Sequence, residues 1–526
     1  MDISHFADSG WSVLPPLLAV ALAIITRRVL LSLGVGIVAG SLLLNQFSPL
    51  DSLHYMFNTV LKIFWVDGAL NRDNINMLLF MLLLGGLISL MTVSGATRAF
   101  AEWAAKRAKT RRGAKGLTGV MVFAFFIDDF FHSLSVGAIC RPVTDRFQIS
   151  RAKLAYLLDS TAAPVCVLMP ISSWGAYIIA LIGGIMAAHG ISEQSPISAF
   201  VEMIPMNLYA VFTLLMVLVV IIFQMDIGPM RKHEAWALEG KLWDPSKPRP
   251  IGLDMESPEE SNGGMIDMVL PILTLTGATV YFMISSGAAV LDEKGLPFSV
   301  LGSFENTNVG SSLVYGALCS LAVSILLALR LKLGAKNWLK AAPQGVMAML
   351  PAINILLFAW AIGAVVRDVE TGKYLASLAN GNLPMEVLPA VVFVLSCAMA
   401  FATGTSWGTF GIMLPLAGDM AAASDIGLML PMLAAVLAGS VFGDHSSPIS
   451  STSILSATGA GCHHIDHVMT QLPYALAIAF GATLGYLAMG IMHSTLAGFA
   501  VSALWFVLFT AYHLRKTKNQ PLLATA

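Results

Sequence analysis

The sequence predicts an all-α polytopic membrane protein with two inverted structural repeats, and three observations carry this prediction. The 526 residues are 56% hydrophobic and only 12% charged, which leaves too little polar material to cover a water-facing surface. Long apolar stretches alternate with clusters of Lys and Arg, which favour the cytoplasmic side. Polar interruptions with Pro and Gly recur in both halves. We therefore expect about 11 transmembrane helices plus two re-entrant hairpins, with a broken helix in each repeat.

The chain divides into two membrane halves joined by a polar linker. We assign residues 1–225 to the first half and residues 268–526 to the second. Residues 226–267 between them are rich in charge, Pro and Gly, and so few apolar positions cannot bury a core. We therefore interpret residues 226–267 as a cytoplasmic tether rather than a domain.

Charged residues at the ends of the apolar stretches predict the orientation. Asp2 and Asp8 precede the first apolar stretch, and Arg27 and Arg28 follow it, which is the reverse of the basic leader of a signal peptide. The positive-inside tendency places the N-terminus outside. The last apolar stretch is followed by Arg515, Lys516 and Lys518. The C-terminus is therefore predicted to be cytoplasmic, in a multi-pass protein of the bacterial inner membrane.

Two further clusters of basic residues mark cytoplasmic turns. Residues 98–115 contain seven Lys and Arg with one acid, which predicts a basic helix at the membrane surface. The second cluster consists of Arg141, Arg146, Arg151 and Lys153. Since juxtamembrane basic residues are expected from topology alone, they give no reason to expect a nucleic-acid partner.

The first polar interruption lies between these two basic clusters. About 26 residues run from Gly116 to Arg141, whereas two full crossings need roughly 40 residues at a rise of 1.5 Å each. The chain must enter the membrane and turn back. We therefore predict a re-entrant hairpin over residues 116–144, with Asp128 and Asp129 at its tip. Non-helical backbone at that depth requires protein or a wet cavity around it.

A break in the next helix follows this hairpin, and the same pair of elements recurs in the second half. Residues 152–188 contain Pro164 and Pro170 with hydroxyl residues beside them, which predicts a helix broken at mid-membrane; a merely kinked helix is the alternative. In the second half, residues 388–423 predict a hairpin and residues 426–460 a broken helix. Paired interruptions in two halves are typical of a transporter with its site at the membrane midplane.

Acidic and histidine side chains at these interruptions form the candidate ion and proton site. A carboxylate at the bilayer centre costs roughly 3 kcal/mol, so its retention there indicates function. Two close carboxylates can hold one proton when a cation leaves, and competition of Na+ and H+ for one acid is antiport. The alternative is that Asp128 and Asp129 lie at the membrane surface or accept hydrogen bonds from loop amides. The candidate ion- and proton-binding residues are Asp128, Asp129, Asp159, Asp444, His132 and His445.

Hydroxyl and aromatic residues surround these candidates. Na+ prefers about five or six oxygen ligands, and the candidate ligands are Ser160, Thr161, Ser172, Ser173, Thr405, Ser406, Ser446 and Ser447. Trp174 and Trp407 each follow two hydroxyl residues and predict an aromatic wall that suits an organic solute; packing within the bundle is the alternative. His463 and His467, four residues apart, lack a third ligand, so a metal site is not expected. Polar contacts to neighbouring loops are expected for them, and a gate or pH-sensing role is the alternative. We expect no cofactor and no metal beyond Na+.

Four stretches, about a quarter of the chain, carry a resemblance to a known family. They read FFIDDFFHSLSVGAICRPVTD, RAKLAYLLDSTAAPVCVLMPISSWGA, FATGTSWGTFGIMLPLA and GSVFGDHSSPISSTSILSATGAGCHHIDHVMTQLPYA. Together they resemble the NhaC-type sodium/proton antiporter family of the ion-transporter superfamily. The resemblance implies inverted repeats with re-entrant hairpins, an assembly that is often a homodimer, and often an elevator-like displacement of the site.

The resemblance also implies secondary active transport, with exchange of Na+ for H+ across the cytoplasmic membrane as the expected function. The family includes members that couple a Na+ or H+ gradient to a small organic solute such as an amino acid, a carboxylate or a drug, and this stays the alternative. A channel does not need two inverted discontinuous elements around one site. An enzyme is not expected, because no nucleophile and base stand at helical spacing. The expected partners are Na+, H+, the lipid bilayer and, in the alternative, the organic solute.

Overall fold

Helices make up almost all of the regular structure. The computed structural model describes residues 6, 8–26, 28–66, 68–126, 128–170, 172–191, 194–250, 263–331, 335–371, 374 and 384–519. The α-helices are α1 (Leu14–Thr26), α2 (Val29–Leu44), α3 (Pro49–Phe64), α4 (Arg72–Val93), α5 (Ala96–Ala108), α6 (Arg111–Phe125), α7 (Asp129–Arg146), α8 (Arg151–Cys166), α9 (Ser173–Ala188), α10 (Pro196–Met203), α11 (Leu208–Phe223), α12 (Pro229–Leu238), α13 (Ile266–Glu293), α14 (Val300–Glu305), α15 (Val309–Arg330), α16 (Ala335–Asp368), α17 (Leu388–Thr403), α18 (Ser406–Ser424), α19 (Met429–Ser446), α20 (Ser451–Ala460), α21 (His464–Met492) and α22 (Thr495–Asn519). A two-residue strand β1 (Trp65–Val66) pairs antiparallel with β2 (Ala69–Leu70).

Among the described residues, seven helices are long and apolar enough to cross a membrane. They are Asn74–Val93, Ile266–Glu293, Val309–Arg330, Met385–Thr403, Ile426–Ser446, His464–Met492 and Thr495–Thr517. The helices α10 and α11 are bent by 49° and make an eighth span if they cross together. The membrane character of the fold is thus confirmed, whereas the count of about 11 spans stays a prediction.

The helices pack in two groups. In the first group, α4 packs against α15 and α16, α15 packs against α13, and α2 packs against α1 and α16. In the second group, α17 packs against α19 and α21, and α7 packs against α8 and α20. The second group contains all of the polar interruptions that the sequence analysis singles out, and therefore the candidate site.

In the second group, a helical hairpin is followed along the chain by a broken helix, and this pair of elements occurs twice. Hairpin 1 is α6, which ends at Phe125, and α7, which begins at Asp129; broken helix 1 is α8, which ends at Cys166, and α9, which begins at Ser173. Hairpin 2 is α17 and α18, which meet at Gly404 and Thr405, and broken helix 2 is α19 and α20, separated by residues 447–450. The re-entrant nature of the hairpins and the inversion of the repeats across a membrane stay predictions.

Helices of each repeat pack against helices of the other repeat. The helix α7 of hairpin 1 packs against α20 of broken helix 2, and α18 of hairpin 2 packs against α9 of broken helix 1. Gly137 and Gly459 permit the first contact, since a Cβ atom added at Gly137 would lie 2.6 Å from the carbonyl carbon of Gly459. A larger residue there would push α7 away from α20, whose Thr452 and Ser453 donate hydrogen bonds to Asp444 and Asp159.

Residues 226–250, which we call the strap, pack on the protein, and their role as a cytoplasmic linker between the two halves stays a prediction. Glu234 and Met230 of α12 are completely buried, and Asp226 is 2% exposed. The rest of the polar part of the predicted linker, residues 251–262, lies outside the described residues. A segment with few apolar side chains docks here because buried ion pairs, rather than a core of its own, hold it in place.

These ion pairs use basic residues that the sequence analysis assigns to the membrane surface. Glu234 Oε2 lies 2.9 Å from Arg111 Nη2 and 3.1 Å from Lys115 Nζ, and Lys153 Nζ lies 2.6 Å from Asp226 Oδ1. Burial by itself would raise the pKa of Glu234, but Lys115, Lys153 and Arg111 outweigh it and lower the pKa to about 2. The surface prediction is wrong for Lys115, which is completely buried. Lys153 of the second basic cluster is also completely buried, and each of the two lysines is neutralised by an acid of the strap.

Candidate ion and proton site

The tip of hairpin 1 presents two carboxylates with different partners. Asp128 has an extended backbone before α7 and accepts the Phe131 N–H at 3.0 Å as an N-cap. Asp129 is 2% exposed and accepts the indole N–H of Trp174 on Oδ1 at 3.1 Å. The Oδ2 atom of Asp129 is buried and has no hydrogen-bond partner among the described residues. Asp128 therefore closes the start of a helix, whereas Asp129 keeps an acceptor for a ligand.

The tip of hairpin 2 carries no acid of its own and binds one from broken helix 2. Gly404 adopts the left-handed φ of 68° that ends α17. The N–H and the hydroxyl of Ser406 donate to Asp444 Oδ2 at 3.1 and 2.9 Å. The hydroxyls of Ser450 and Thr452 donate to Asp444 Oδ1. Asp444 thus joins the tip of hairpin 2 to both halves of broken helix 2.

Asp159 lies in a separate buried group, the Asp159 cluster, with Ser453, His467 and Gln471. Its Oδ2 atom accepts the Ser453 hydroxyl at 3.0 Å, His467 Nε2 at 2.9 Å and Gln471 Nε2 at 2.7 Å. The sequence pointed to His467 only as a loop contact or a pH-sensing residue, and neither its contact with Asp159 nor the role of Gln471 was predicted. The four-residue spacing of His463, His467 and Gln471 on one helical face is the signal that points to them.

The two predicted histidines pair with hydroxyl groups of neighbouring helices. His132 Nε2 lies 3.0 Å from Thr161 Oγ1. His445 places Nδ1 2.9 Å from the Tyr209 hydroxyl and Nε2 3.4 Å from Ser160 Oγ. Ser160 and Thr161, candidate ion ligands from the sequence, therefore contact imidazole rings in this structure.

The remaining candidate hydroxyls hold the breaks in the helices. Ser172 Oγ accepts an N–H at the start of α9 and donates to a carbonyl at the end of α8. Ser447 Oγ donates to the carbonyl oxygen of Phe401 in hairpin 2 at 2.7 Å. Ser446 is buried, and the side chain of Ser173 lies outside the described part of the structure. The role of these residues as ion ligands stays a prediction.

A cavity of about 800 Å³ reaches the tips of both hairpins. Two positive charges line it on the side of the first group: Arg367 of α16, and Lys62 of α3, which packs against α2 and α16. A cavity of this size is typical of a small-molecule site. The second group contributes Asp128, Asp129, Phe130, Thr403, Gly404, Thr405, Trp407, Ile449 and Ser451.

Trp174 and Trp407, one from each repeat, meet at this end of the cavity. Their ring centroids are 5.8 Å apart in an edge-to-face arrangement, and the ring of Tyr177 lies 4.9 Å from that of Trp407. Trp174 is completely buried, whereas Trp407 belongs to the cavity lining. The two tryptophans therefore differ: Trp407 lines the cavity, and Trp174 packs behind it and donates to Asp129. The aromatic wall stays a prediction.

The histidines at the start of α21 bind backbone carbonyls. His463 Nε2 lies 3.0 Å from the carbonyl oxygen of Pro248 in the strap, and His464 Nε2 lies 2.8 Å from that of Pro448 in the break of broken helix 2. Across the part of the chain that the structure describes, no three His, Cys, Asp or Glu side chains are grouped as metal ligands. The start of α21 thus connects the strap to broken helix 2.

Comparison with known proteins places this arrangement in a family. The sequence model of the Na+/H+ antiporter family matches residues 165–491, more than half of the chain. The chain belongs to this family. The match confirms the NhaC-type resemblance and identifies the chain as a multi-pass membrane protein of an antiporter family.

Three relatives illustrate the range of the family. An uncharacterized protein of Haemophilus influenzae is 52% identical over 97% of this chain and 96% of its own length. The malate-2H(+)/Na(+)-lactate antiporter of Bacillus subtilis is 32% identical over 28% of this chain and 32% of its own length. The arginine/ornithine antiporter ArcD of Halobacterium salinarum is 32% identical over 28% of this chain and 30% of its own length. The family and these names support a secondary transporter rather than an enzyme.

Proposed function

We propose that this protein exchanges Na+ for H+ across the bacterial cytoplasmic membrane, with Asp129 at the centre of the cation site. The observation that carries the proposal is the Oδ2 atom of Asp129, which is buried, has no described hydrogen-bond partner, and belongs to a residue that lines the cavity. A buried carboxylate oxygen without a partner is costly. A bound Na+ removes this cost, and a proton taken up by the protein restores the charge when Na+ leaves.

The neighbourhood of Asp129 offers further oxygen atoms of the kind that Na+ binds. Asp128, Thr405 and Ser451 line the same cavity, and water can complete a shell of about five or six oxygens. These residues come from hairpin 1, hairpin 2 and broken helix 2, so a cation bound among them would hold three elements together. Na+ and H+ then serve as the coupling ions, and the proposal needs no cofactor.

Proton flux in proteoliposomes with an internal pH-sensitive dye tests this proposal. Na+ added to the wild-type protein, without any organic solute, is expected to move protons. Asp129→Asn is expected to lower that rate at least about 100-fold, or roughly 3 kcal/mol, because the variant lacks the charge that binds the cation. The matched control is Glu102→Gln, which removes an exposed carboxylate on α5 and is expected to leave the flux unchanged. Full flux in Asp129→Asn, or no flux in the wild type with Na+, Li+ or K+, would contradict the proposal.

A second candidate is Na+- or H+-coupled transport of a small organic solute, and the size of the cavity favours it. A cavity of about 800 Å³ is far larger than a Na+ ion needs and falls in the range of ligand pockets. Trp407 offers an aromatic surface, and Lys62 and Arg367, which form no ion pair with a described residue, offer positive charge to a carboxylate. The names of the malate/lactate and arginine/ornithine relatives fit this candidate. Proton flux that starts only when one compound of an amino acid and carboxylate panel is added would favour it over simple ion exchange.

A further inference from the structure

We propose that the coupling proton binds to the pair formed by Asp159 and His467, at a site separate from the cation site at Asp129. The inference rests on the proposed exchange of Na+ for H+, and it replaces the expectation that one acid alternates between the two ions. Both side chains are completely buried. Neither belongs to the described lining of the cavity that reaches Asp129.

The pair has an unused atom at which a proton can bind. His467 Nε2 donates its hydrogen to Asp159 Oδ2 at 2.9 Å, which leaves a lone pair on Nδ1. That Nδ1 atom is buried and has no hydrogen-bond partner among the described residues. A proton that binds there forms one N–H bond and breaks none, and the charge of the pair changes from −1 to zero. Release of the proton reverses both changes.

The same cluster is unsuited to Na+. The described contacts of Asp159 Oδ2 all come from donors, namely the Ser453 hydroxyl and the nitrogen atoms of His467 and Gln471. A donating N–H group cannot ligate a cation, and Na+ needs about five or six oxygens. Asp159 Oδ1, like Asp129 Oδ2, is buried and has no hydrogen-bond partner among the described residues, but of these two acids only Asp129 lines the described cavity. The geometry thus separates a cation site from a proton site.

The first turn of α20 connects the two sites. Ser450 and Thr452 donate to Asp444, which holds the tip of hairpin 2 beside the cavity. The next residue, Ser453, donates to Asp159. A movement of hairpin 2 on cation binding therefore changes a hydrogen bond of the proton-binding pair. The first turn of α20 therefore links cation binding in the cavity to the protonation of the pair Asp159 and His467.

Other titratable groups surround the pair and contribute to its pH response, since several of them interact electrostatically with Asp159. The helix α20 itself has no titratable side chain. The groups that interact electrostatically with Asp159 or His467 are His132 of α7, Asp444 and His445 of α19, and His464 of α21. Other buried titratable side chains on the pair's own helices include Arg151, Lys153 and Tyr156 of α8 and Asp466 and Tyr474 of α21. Of the titratable groups described, His467 alone is hydrogen-bonded to Asp159, so substitutions in this pair isolate its contribution.

The experiment measures Na+ binding and proton release separately on the full-length protein. A Na+ pulse on purified wild type in weak buffer with a pH-sensitive dye is expected to release protons, and radioactive Na+ counterflow in proteoliposomes reports on the cation site. Asp159→Asn and His467→Gln are expected to release less than about one tenth of the wild-type protons while counterflow stays within about threefold. Asp129→Asn is expected to lose both signals. His463→Gln, which changes a histidine of the same helix that contacts the strap, is the matched control and is expected to keep both.

The outcomes separate this inference from the proposed function. If wild type exchanges Na+ for H+ but folded Asp159→Asn loses Na+ counterflow, Asp159 is a cation ligand and the inference is overturned while the function stands. Full proton release in both variants also overturns it. A wild type that binds Na+ without releasing a proton overturns the inference and the proposed function together.

A milder variant covers the case in which Asp159→Asn and His467→Gln do not fold. Ser453→Ala keeps the pair and removes one donor to the carboxylate. It is expected to move the midpoint of the pH profile of exchange by at least about half a pH unit, because each hydrogen bond to a carboxylate changes its proton affinity. An unmoved midpoint would overturn the inference.

Discussion

The two hairpin tips turn the chain in the same way but obtain their carboxylates differently. In hairpin 1, Asp128 caps α7 from within the tip by accepting the Phe131 N–H. In hairpin 2, the start of α18 receives the carboxylate of Asp444 from another element, through the N–H and hydroxyl of Ser406. The start of a helix leaves N–H groups unpaired and carries positive partial charge, so each tip needs an acceptor. One tip supplies its own, and the other depends on broken helix 2.

This difference separates the carboxylate to which we assign the cation from the carboxylate that holds a hairpin. Because Asp128 satisfies the start of α7, Asp129 beside it keeps an oxygen free. Asp444 instead accepts from Ser406, Ser450 and Thr452, so it acts as a joint between two elements. Hairpin 1 thus carries the free carboxylate, and hairpin 2 carries the connection to the Asp159 cluster.

The largest expected effect on stability concerns the base of hairpin 1, which the strap holds through Glu234. Glu234 pairs with Arg111 and Lys115 and also accepts the N–H and hydroxyl of Ser150. Glu234→Gln is expected to lower the free energy of unfolding by roughly 3 kcal/mol, because it leaves buried cations without a counter-charge. Thermal unfolding at pH 7.5 measures this loss. Glu239→Gln, an exposed neighbour on the strap that pairs with Lys241, is the matched control and should change little.

The stability difference between wild type and Glu234→Gln is expected to depend on pH. The pKa of Glu234 is lowered from 4.5 to about 2, so its contribution to stability is fully present above about pH 4.5 and is lost as the pH falls towards 2. The difference in unfolding temperature between wild type and Glu234→Gln is therefore expected to be constant between pH 6 and 8 and to shrink below about pH 4. A difference that grows on acidification would contradict the assignment.

An intermediate effect on stability is expected when the hydrogen bonds between Asp444 and the tip of hairpin 2 are lost. Asp444→Asn places an amide nitrogen against hydroxyl donors and removes the charge from the other bonds, which is expected to cost roughly 2 kcal/mol. Hydrogen exchange is expected to rise over residues 404–410 and to stay unchanged over residues 128–131. Asp419→Asn, which alters an exposed acid on the same helix α18, serves as control. An equal rise of hydrogen exchange at both tips would show that Asp444 stabilises both hairpins rather than hairpin 2 alone.

The smallest expected effect concerns the cap of hairpin 1. Asp128→Ala is expected to lower the free energy of unfolding by about 1 kcal/mol, whereas Asp128→Asn is expected to be nearly neutral, because asparagine caps a helix as well as aspartate does. Thermal unfolding of the two variants side by side measures the difference. If Asp128→Asn is as unstable as Asp128→Ala, the charge of Asp128 matters more than its cap.

The positions of the helices around the polar interruptions were predictable from the local sequence pattern. The helices α6 to α9 and α17 to α20 begin and end close to the predicted ranges, since a polar break in an apolar run is visible within a few residues. The docking of the strap was not predictable in this way. Lys115 and Glu234 are 119 residues apart, and a basic residue that ends in a buried ion pair looks the same in sequence as one that marks the cytoplasmic surface.

By itself the sequence determined the membrane class, the family and the identity of the acids at the interruptions, because hydropathy, proline position and motif are properties of short stretches. Only the tertiary structure decided what each acid does. Asp159 is hydrogen-bonded to His467, which is 308 residues away along the chain. Asp444 accepts a hydrogen bond from Ser406 at the tip of hairpin 2, and one oxygen of Asp129 has no hydrogen-bond partner among the described residues. The physical reason is that the partners of a buried carboxylate depend on which helices pack together, and periodicity along one helix carries no information about the helix that faces it.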